Sequence, residues 1–536
     1  MGKRHQVIIV GGGPVGVGLA LELGLRGIDC VLVERRVGLH NIPKGQNLTP
    51  RTLEHFYFWG VVDELRATRI LSKEVPAAGV TAYKNMINPH YFILPGREIT
   101  NSYYFQSNDR LPQYEMERVL RAKLATLPNV ETRWGWGAKS VAQDNGCVRI
   151  EVEQEGAGRR EVLEADYAVG CDGGNSVVRE AIGIERGGTD FEQLMVLAVF
   201  RSKELHQGLS RYPMRSTYRV LTPELKGYWQ FLGRIDQDEG WFFHSPVPND
   251  TDRKSYDVHA LLERFAGFPF KAEYDHVGFW DNRVAVAERY QVGRVFIAGD
   301  AAHSHPPYGG YGVNNGLEDA TNLGWKLAAR LQGWGSDALL ASYSAERRPV
   351  FKETAEDFIA ARMALEGDIV TRFDPEQDMV AFKKAWGSLA EDGSSKLSTY
   401  APHYAGSPVV LGPPGAACSA HGKHTFEVIA GHHLPPQKLS SGRNVYEELG
   451  SAFTLIALDA DTAAIADFEA AASELKVPLK VVRDSIGGGR EAYKASYILV
   501  RPDQYVAWVG NVPPMPPRDI LVRATGLNSG LDFGLN

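Results

Sequence analysis

Residues 6–34 constrain this chain more than any other stretch. "QVIIV" (6–10) is an unbroken apolar run, as a parallel strand buried on both faces requires. Gly11, Gly13 and Gly16 follow as G-x-G-x-x-G; then comes "VGLALELGLRG" at helical spacing, and a second apolar strand, "CVLVE", ending in Glu34. Strand, glycine turn, helix and strand make a βαβ unit that holds a dinucleotide. The glycines let a pyrophosphate approach the backbone, Pro14 opens the helix, and the helix N-terminus supplies N–H donors and a positive dipole end. Glu34, 23 residues after Gly11, accepts from ribose hydroxyls, with Arg35 beside it. Alone, this fingerprint does not separate FAD from NAD.

The 536-residue length predicts two to four domains at roughly 150 residues each. A net charge of -7 without a long basic run argues against nucleic acid or an anionic membrane as the main partner. Cys30, Cys147, Cys171 and Cys418 are scattered and form no Cys-x-x-Cys, which points to a reducing cytoplasm. The N-terminus imitates a signal peptide, but glycines and Glu22 break its apolar run and no small-residue cleavage site follows. With no apolar stretch of about 20 residues, no membrane span is expected.

Further along, "ERVLRAKLA" (117–125) reads as an amphipathic helix and "DYAVGCDG" (166–173) as a strand entering a turn. "MVLAVFRS", "GYWQFLGRI" and "GWFFHSPV" are aromatic and β-rich, and predict an antiparallel sheet forming one wall of a pocket. "RVFIAGD" (294–300) is another buried strand, followed by the helix "NNGLEDATNLGWKLAARL". After about residue 400 the composition changes. "YAGSPVVLGPPGAACSAHGK" reads as a linker, and beyond it strands surround the helix "AAIADFEAAASEL". The Pro-rich end reads as an arm or tail. The expected fold is therefore α/β: a Rossmann-like dinucleotide domain over 1–185 and 285–400, with an antiparallel-sheet substrate domain inserted at 186–284. A linker at 401–425 leads to a small α/β unit and tail at 426–536.

Two more motifs join the fingerprint: "GCDGGNSVVRE" (170–180) and "VFIAGDAAHSHPPYGGYGVNNG" (295–316). In the second, a helix starts directly after a Gly-rich loop. Amides near Gly312, Val313, Asn314 and Asn315 are placed to stabilise negative charge on a bound ring. Gly309, Gly310 and Gly312 permit close approach to a planar ring, and Pro306 and Pro307 stiffen the segment beside it. A metal site at Asp300, His303 and His305 lacks a completing ligand. A hydrolase reading lacks G-x-S-x-G, and Ser304 makes no triad. "WGWGAK" (134–139) lacks the Ile-Pro that closes the flavin-halogenase signature, so it reads as alternating Trp on a strand.

With "PRTLE" (50–54), "LPQYEMERVL" (111–120) and "YSAERRPV" (343–350), the set resembles the class A flavoprotein monooxygenases, the single-component FAD-dependent aromatic hydroxylases, over roughly residues 5–360. "LVRPDQYVAWVG" (499–510) resembles the thioredoxin-like domain of the phenol-hydroxylase-type members; without Cys-x-x-Cys, dithiol redox work is excluded there. The resemblance implies non-covalent FAD, NADPH or NADH as a transient co-substrate, and O2. Oxygen transfer to a phenolic ring would pass through a flavin C4a-hydroperoxide. A flavin oxidase or dehydrogenase without oxygen insertion is the alternative; a flavin-fold binding protein without turnover is a third, which the intact glycines and acids oppose.

The resemblance also places residues. Gly299 and Asp300 would meet the FAD chain, as would Gln113; Asp172 and Gly173 would form a turn serving both FAD and NAD(P)H; Arg51 would sit near the cofactor phosphates. The substrate base is not evident, because "KGQNLTPRTLE" offers Gln46 and Asn47 where phenol-hydroxylase relatives carry an Asp. His244, Tyr218, Tyr228 and Tyr308 are the candidates, with Pro307 beside the ring. Trp229, Phe231, Trp241 and Phe243 would make an aromatic pocket, although half of any strand faces away. Arg215, Arg219 and Arg234 leave a carboxylate clamp open. A small aromatic substrate and a homodimer are the expected partners.

Overall fold

The computed structural model describes residues 3–188, 193–282 and 284–527. The βαβ opening forms where its pattern placed it, as Arg4–Val10, Pro14–Leu25 and Cys30–Glu34. Across the first sheet run Gln291–Val292, Val295–Ile297, Arg160–Gly170, Arg4–Val10, Cys30–Glu34 and Val130–Trp134. From Val295–Ile297 onward these strands are parallel. Val7, Ile8, Ile9, Val31 and Leu32 are fully buried, which is why the sequence here runs apolar instead of alternating. Helix Pro14–Leu25 crosses helix Gly312–Leu331 at small residues: a side chain on Gly18 would press on Leu317, and one on Gly324 on Glu22.

The second sheet has seven strands, in the order Glu273–Asn282, Gln193–Arg201, Gly240–Pro246, Trp229–Arg234, Thr217–Leu221, Gly79–Tyr83 and Tyr91–Leu94. The aromatic strands form the antiparallel wall as expected. The boundary is wider than 186–284, however. Gly79–Tyr83 adds in parallel beside Thr217–Leu221, and Tyr91–Leu94 closes that edge. One face packs on helix Val258–Ala266 through Trp241, Phe243 and Phe265; the other turns to a cleft. Helices Ala361–Arg372 and Met379–Thr399, expected with the dinucleotide domain, instead flank this sheet, the second against Tyr91–Leu94.

Residues 401–425 are not a loose linker. Tyr400–His403 pairs with Ser419–His421, and Tyr404, Val410 and Ala420 are buried. Pro, Gly and Ser signal the absence of regular elements, not the absence of packing. Beyond, Leu479–Asp484, Phe453–Leu458, Tyr497–Val500 and Val506–Gly510 form a mixed sheet, the first two parallel across helix Thr462–Leu475. That order agrees with the thioredoxin-like reading. The expected tail folds as helix Pro517–Thr525, with Ile520, Leu521 and Ala524 buried; its end, 528–536, lies outside the described residues. All four cysteines are free. Among the described residues no helix is long and apolar enough to cross a membrane.

Candidate active site

A continuous cavity of about 1310 Å³ opens at the carboxyl ends of the parallel strands and reaches the free face of the seven-stranded sheet. Gly12, Gly13, Glu34, Arg35 and Trp136 line one end; Phe231 and His244 line the other. Among the described residues no cluster of three or more His, Cys, Asp or Glu side chains is arranged to hold a metal.

The fingerprint glycines divide their work. Gly11 has φ +105°, and a Cβ there would lie 2.3 Å from the Cys171 carbonyl oxygen. A Cβ on Gly16 would lie 1.9 Å from the Gly11 oxygen, and Gly16 does not line the cavity. Both serve the close passage of helix against strand. Gly13 has nothing within 4 Å of its Cβ position and faces open space at the helix N-terminus. Glu34 accepts from the Gly12 amide at 2.7 Å and the Arg36 amide at 2.8 Å, which fixes its carboxylate beside the turn. Pro14 and Gln113 also line this stretch, and Gln113 donates to Glu117 at 2.8 Å. The motif reading missed Arg121, which donates to the Gly12 carbonyl at 3.2 Å and stacks on Trp134 at 4.0 Å.

Asp172 and Gly173 line the middle of the cavity. Asp172 accepts from Ser176 at 2.5 Å and the Val178 amide at 3.2 Å, while burial raises its carboxyl above the usual range. Asp300 is exposed to the cavity yet walled by protein, and burial raises it against the pull of His303 and Arg186. Gly299 stands behind the wall: its φ is +60°, its amide donates to Asp319 at 3.0 Å, and a Cβ would press on Val15. Asp319 also lies 2.6 Å from His303 Nε2 and accepts from Arg347 at 2.6 Å. His303 is thus a structural residue, stacked on Phe351 at 3.7 Å. His305 and Pro307 do line the cavity; burial pushes His305 down to about 4, and its Nε2 has no partner among the described residues.

Helix Gly312–Leu331 points its N-terminus into the cavity at Gly312 and Val313, and its first N–H groups lack intrahelical acceptors. Asn314 is turned away. Its Oδ1 accepts from Thr49 N and Thr52 Oγ1 at 2.9 and 2.6 Å, and its Nδ2 donates to Asn47 O and Gly310 O. The Asn315 amide is committed to Tyr311 O.

On the sheet, strand parity decides. Arg219, Phe231, His244 and Leu197 sit in one transverse row on the cavity face. Tyr218 is one residue off that register, so it points into the opposite core with Tyr212 and Trp241; it cannot reach a substrate. Trp241 and Phe243 lie on that same hidden face, whereas Phe242 lines the cavity. Arg215 and Arg234 are also off the cavity lining, leaving Arg219. Trp229 and Tyr228 fall outside it as well. Tyr308 lines the cavity; its hydroxyl donates to Glu366 at 2.9 Å and accepts from Arg219 at 3.0 Å, so its proton is committed. Arg362, which sequence reasoning missed, donates to the same Glu366 oxygen at 2.8 Å. His244 is 5 % exposed, neither ring nitrogen has a partner among the described residues, and burial pushes it down to about 4.

Arg51 is not near the glycine turn. Its guanidinium is held by Glu318 and Glu54, each at 3.1 Å, by Gln504 at 2.9 Å and by the Asp503 carbonyl at 2.6 Å. Burial opposes charge on Glu318, but Arg51 and His55 hold it well below the usual carboxylate range. The "PRTLE", "YSAERRPV" and "RPDQY" stretches meet in one buried network that joins the C-terminal unit to the dinucleotide domain. Within it Glu346 accepts from Lys326 and Arg501, each at 2.7 Å.

These residues fit FAD: open backbone at Gly13, a fixed acid at Glu34, and a second helix N-terminus that lines the same cleft as Pro307 and the aromatic sheet. Fold and cleft together define a flavoprotein oxidoreductase. Residues 4–357 match the FAD binding domain family, and residues 427–527 match the aromatic-ring hydroxylase C-terminal family. The chain belongs to this family and is an FAD-dependent monooxygenase acting on an aromatic ring. It is 30% identical to a 4-methyl-5-nitrocatechol 5-monooxygenase from Burkholderia sp, covering 94% of this chain and 93% of that protein. It is 29% identical to the FAD-dependent monooxygenase apdD of Emericella nidulans, covering 98% and 90%. The rebeccamycin biosynthetic enzyme RebC with reduced flavin superposes with a TM-score of 0.83 at 26% identity, covering 98% and 99%. Nothing in these relatives favours the oxidase alternative.

Proposed function

We propose that the enzyme hydroxylates a small phenolic ring lying on Phe231, with the substrate hydroxyl at His244. The observation that carries this is His244 itself: a buried, neutral imidazole on the cavity face whose two nitrogens find no partner among the described residues. A buried polar group without a partner costs about 1–3 kcal/mol, so the position is kept for a ligand. His244 accepts the substrate's hydroxyl proton or hydrogen-bonds it, and its low basicity suits orientation more than full proton removal. Arg219 lies two strands away, about 10 Å across the sheet, and with Tyr308 bounds the other side of the ring.

When bound, FAD would pass the two electrons of NADPH or NADH to O2, one atom of which would enter the ring while the other leaves as water. Gly13, Glu34, Gln113 and Asp300 bind its chain, and Asp172 with Gly173 forms the turn that the nicotinamide also approaches. Amides of Gly312 and Val313, at the helix N-terminus lining the cavity, would hold the ring edge that becomes negative. Pro307, Phe242 and Phe231 exclude water, which keeps oxygen transfer ahead of peroxide release. Free, scattered cysteines support a cytoplasmic enzyme, and a homodimer is the assembly expected, to be checked by sedimentation velocity. The test is a panel of phenols with NADH or NADPH, scoring hydroxylated product against H2O2. Coupled product formation that falls at least 100-fold in His244→Leu supports the reading. Ring-independent NAD(P)H oxidation with only H2O2 would sink it.

A further inference from the structure

One buried cation on the substrate side has no counter-charge among the described residues. Arg110 lies on the short strand Asp109–Arg110, which pairs with Asn47–Leu48. It is 6 % exposed and lines the cavity. Its Nη2 donates to the Arg234 carbonyl at 2.8 Å, while Nε is buried with no acceptor among the described residues. The neighbouring acid does not serve it. Asp109 is paired to Arg69 and spends Oδ1 on the Arg110 amide at 2.6 Å. Burial, with Arg234 nearby, pushes Arg110 down to about 9. Arg234 and Arg179 are also buried without a carboxylate among the described residues, but neither lines the cavity. Of the other cavity arginines on this side, Arg219 and Arg362 share Glu366, and Arg97, only half-buried, donates to the Gly309 carbonyl at 2.7 Å.

A buried charge left unpaired is strongly destabilising, so a site that retains one is built for a ligand of opposite sign. The position says which ligand. The guanidinium lies 6.0 Å from the Phe242 ring, and that ring contacts the His244 ring at 5.7 Å. Phe242 and His244 belong to the sheet that floors the ring site, whereas the fingerprint turn lies at the opposite end of the cleft. We propose that Arg110 receives an anionic oxygen of the aromatic substrate, a carboxylate or an ionised phenol. The enzyme's substrates are then acidic aromatics. This rests on the hydroxylase reading above and narrows its substrate class. Arg110 contributes a fixed charge and the donors that the Arg234 carbonyl leaves free, Nε among them, the geometry suited to an oxyanion.

The test titrates FAD-loaded enzyme, following the flavin absorption, with matched ligands. One arm pairs benzoate with benzamide and 3-phenylpropionate with its amide; the other pairs pentafluorophenol, ionised at neutral pH, with phenol. In the wild type at least one anion binds tenfold or more tightly than its neutral partner. In Arg110→Gln that ratio falls to near one, Arg110→Lys keeps part of it, and the melting temperature of Arg110→Gln is no lower than wild type. No anion preference in either arm, or a preference that survives Arg110→Gln, overturns the assignment while ring-dependent hydroxylation still stands. Loss of FAD, or a rise confined to the KM for NAD(P)H, overturns it by making Arg110 a cofactor residue. If no ring stimulates NAD(P)H oxidation, the hydroxylase reading falls and this one with it.

Discussion

Single residues with the same letter do different work in this cleft. Gly11 cannot carry a side chain, both for its φ of +105° and for the Cys171 carbonyl 2.3 Å from a Cβ. Gly13 has ordinary backbone angles and open space. Gly11→Ala is therefore expected to destabilise the apo-protein by roughly 2–4 kcal/mol. Gly13→Ala should leave apo stability within about 0.5 kcal/mol and weaken FAD binding at least tenfold; chemical denaturation and flavin fluorescence read the two effects apart. His244 gives a second expectation. Its folded value of about 4 lies below the unfolded 6.5, so between those pH values the unfolded chain binds more protons. Stability contributed by this residue is complete above about pH 6.5 and falls by about 3 kcal/mol as pH drops toward 4. His244→Phe should make that part of the stability profile shallower, His305, His424 and His432 keeping the rest of the slope, as urea unfolding at stepped pH would show.

At the scale of elements, helix Gly312–Leu331 does more than present its N-terminus. Through Asp319 it receives the Gly299 amide, His303 and Arg347, and so fixes the turn that presents Asp300 to the cavity. Burial opposes the charge on Asp319, but His303 and Arg347 hold its carboxyl below the usual range. Asp319→Asn keeps the shape and removes the charge facing Arg347. A loss of about 3–5 kcal/mol is expected, with FAD released faster in stopped-flow chase against apo-flavodoxin. What the sequence showed of these elements follows from periodicity. The βαβ unit, the aromatic wall and the cradle loop were legible because apolar runs and glycines are local signals. The face of a strand is not local: Tyr218 and Arg219 differ by one residue, and only pairing to Phe231 and Leu232 shows which meets the cleft. Arg51 misled for a related reason. A motif fixes that a residue recurs, and its partners, Gln504 and the Asp503 carbonyl, lie more than 450 residues away. Arg110 carried no motif at all and became visible only through burial without a partner.

Across the whole molecule, the C-terminal unit is welded to the flavin domain, not hung from it. Trp325, Trp334 and Leu339 share one core with Phe453, Leu455 and Trp508. Beside that core, Arg501 bridges Glu346 and Asp503, and the Trp325 indole donates to Asp503 at 3.0 Å. Burial disfavours charge on Lys326, which falls to about 8 even with Glu346 beside it. Arg501 and Lys326 together hold Glu346 far below the ordinary carboxylate range despite burial. Removing Arg501 leaves two buried carboxylates with one lysine between them. Arg501→Met should then lower stability by about 3–5 kcal/mol, because breaking a buried pair strands its partner. Since core and network both cross the boundary, wild type and variant should each unfold in one calorimetric transition, shifted down in the variant, with flavin released at the same temperature. Two resolved transitions, with only the one unaccompanied by flavin release moving, would show instead that the C-terminal unit folds and melts alone.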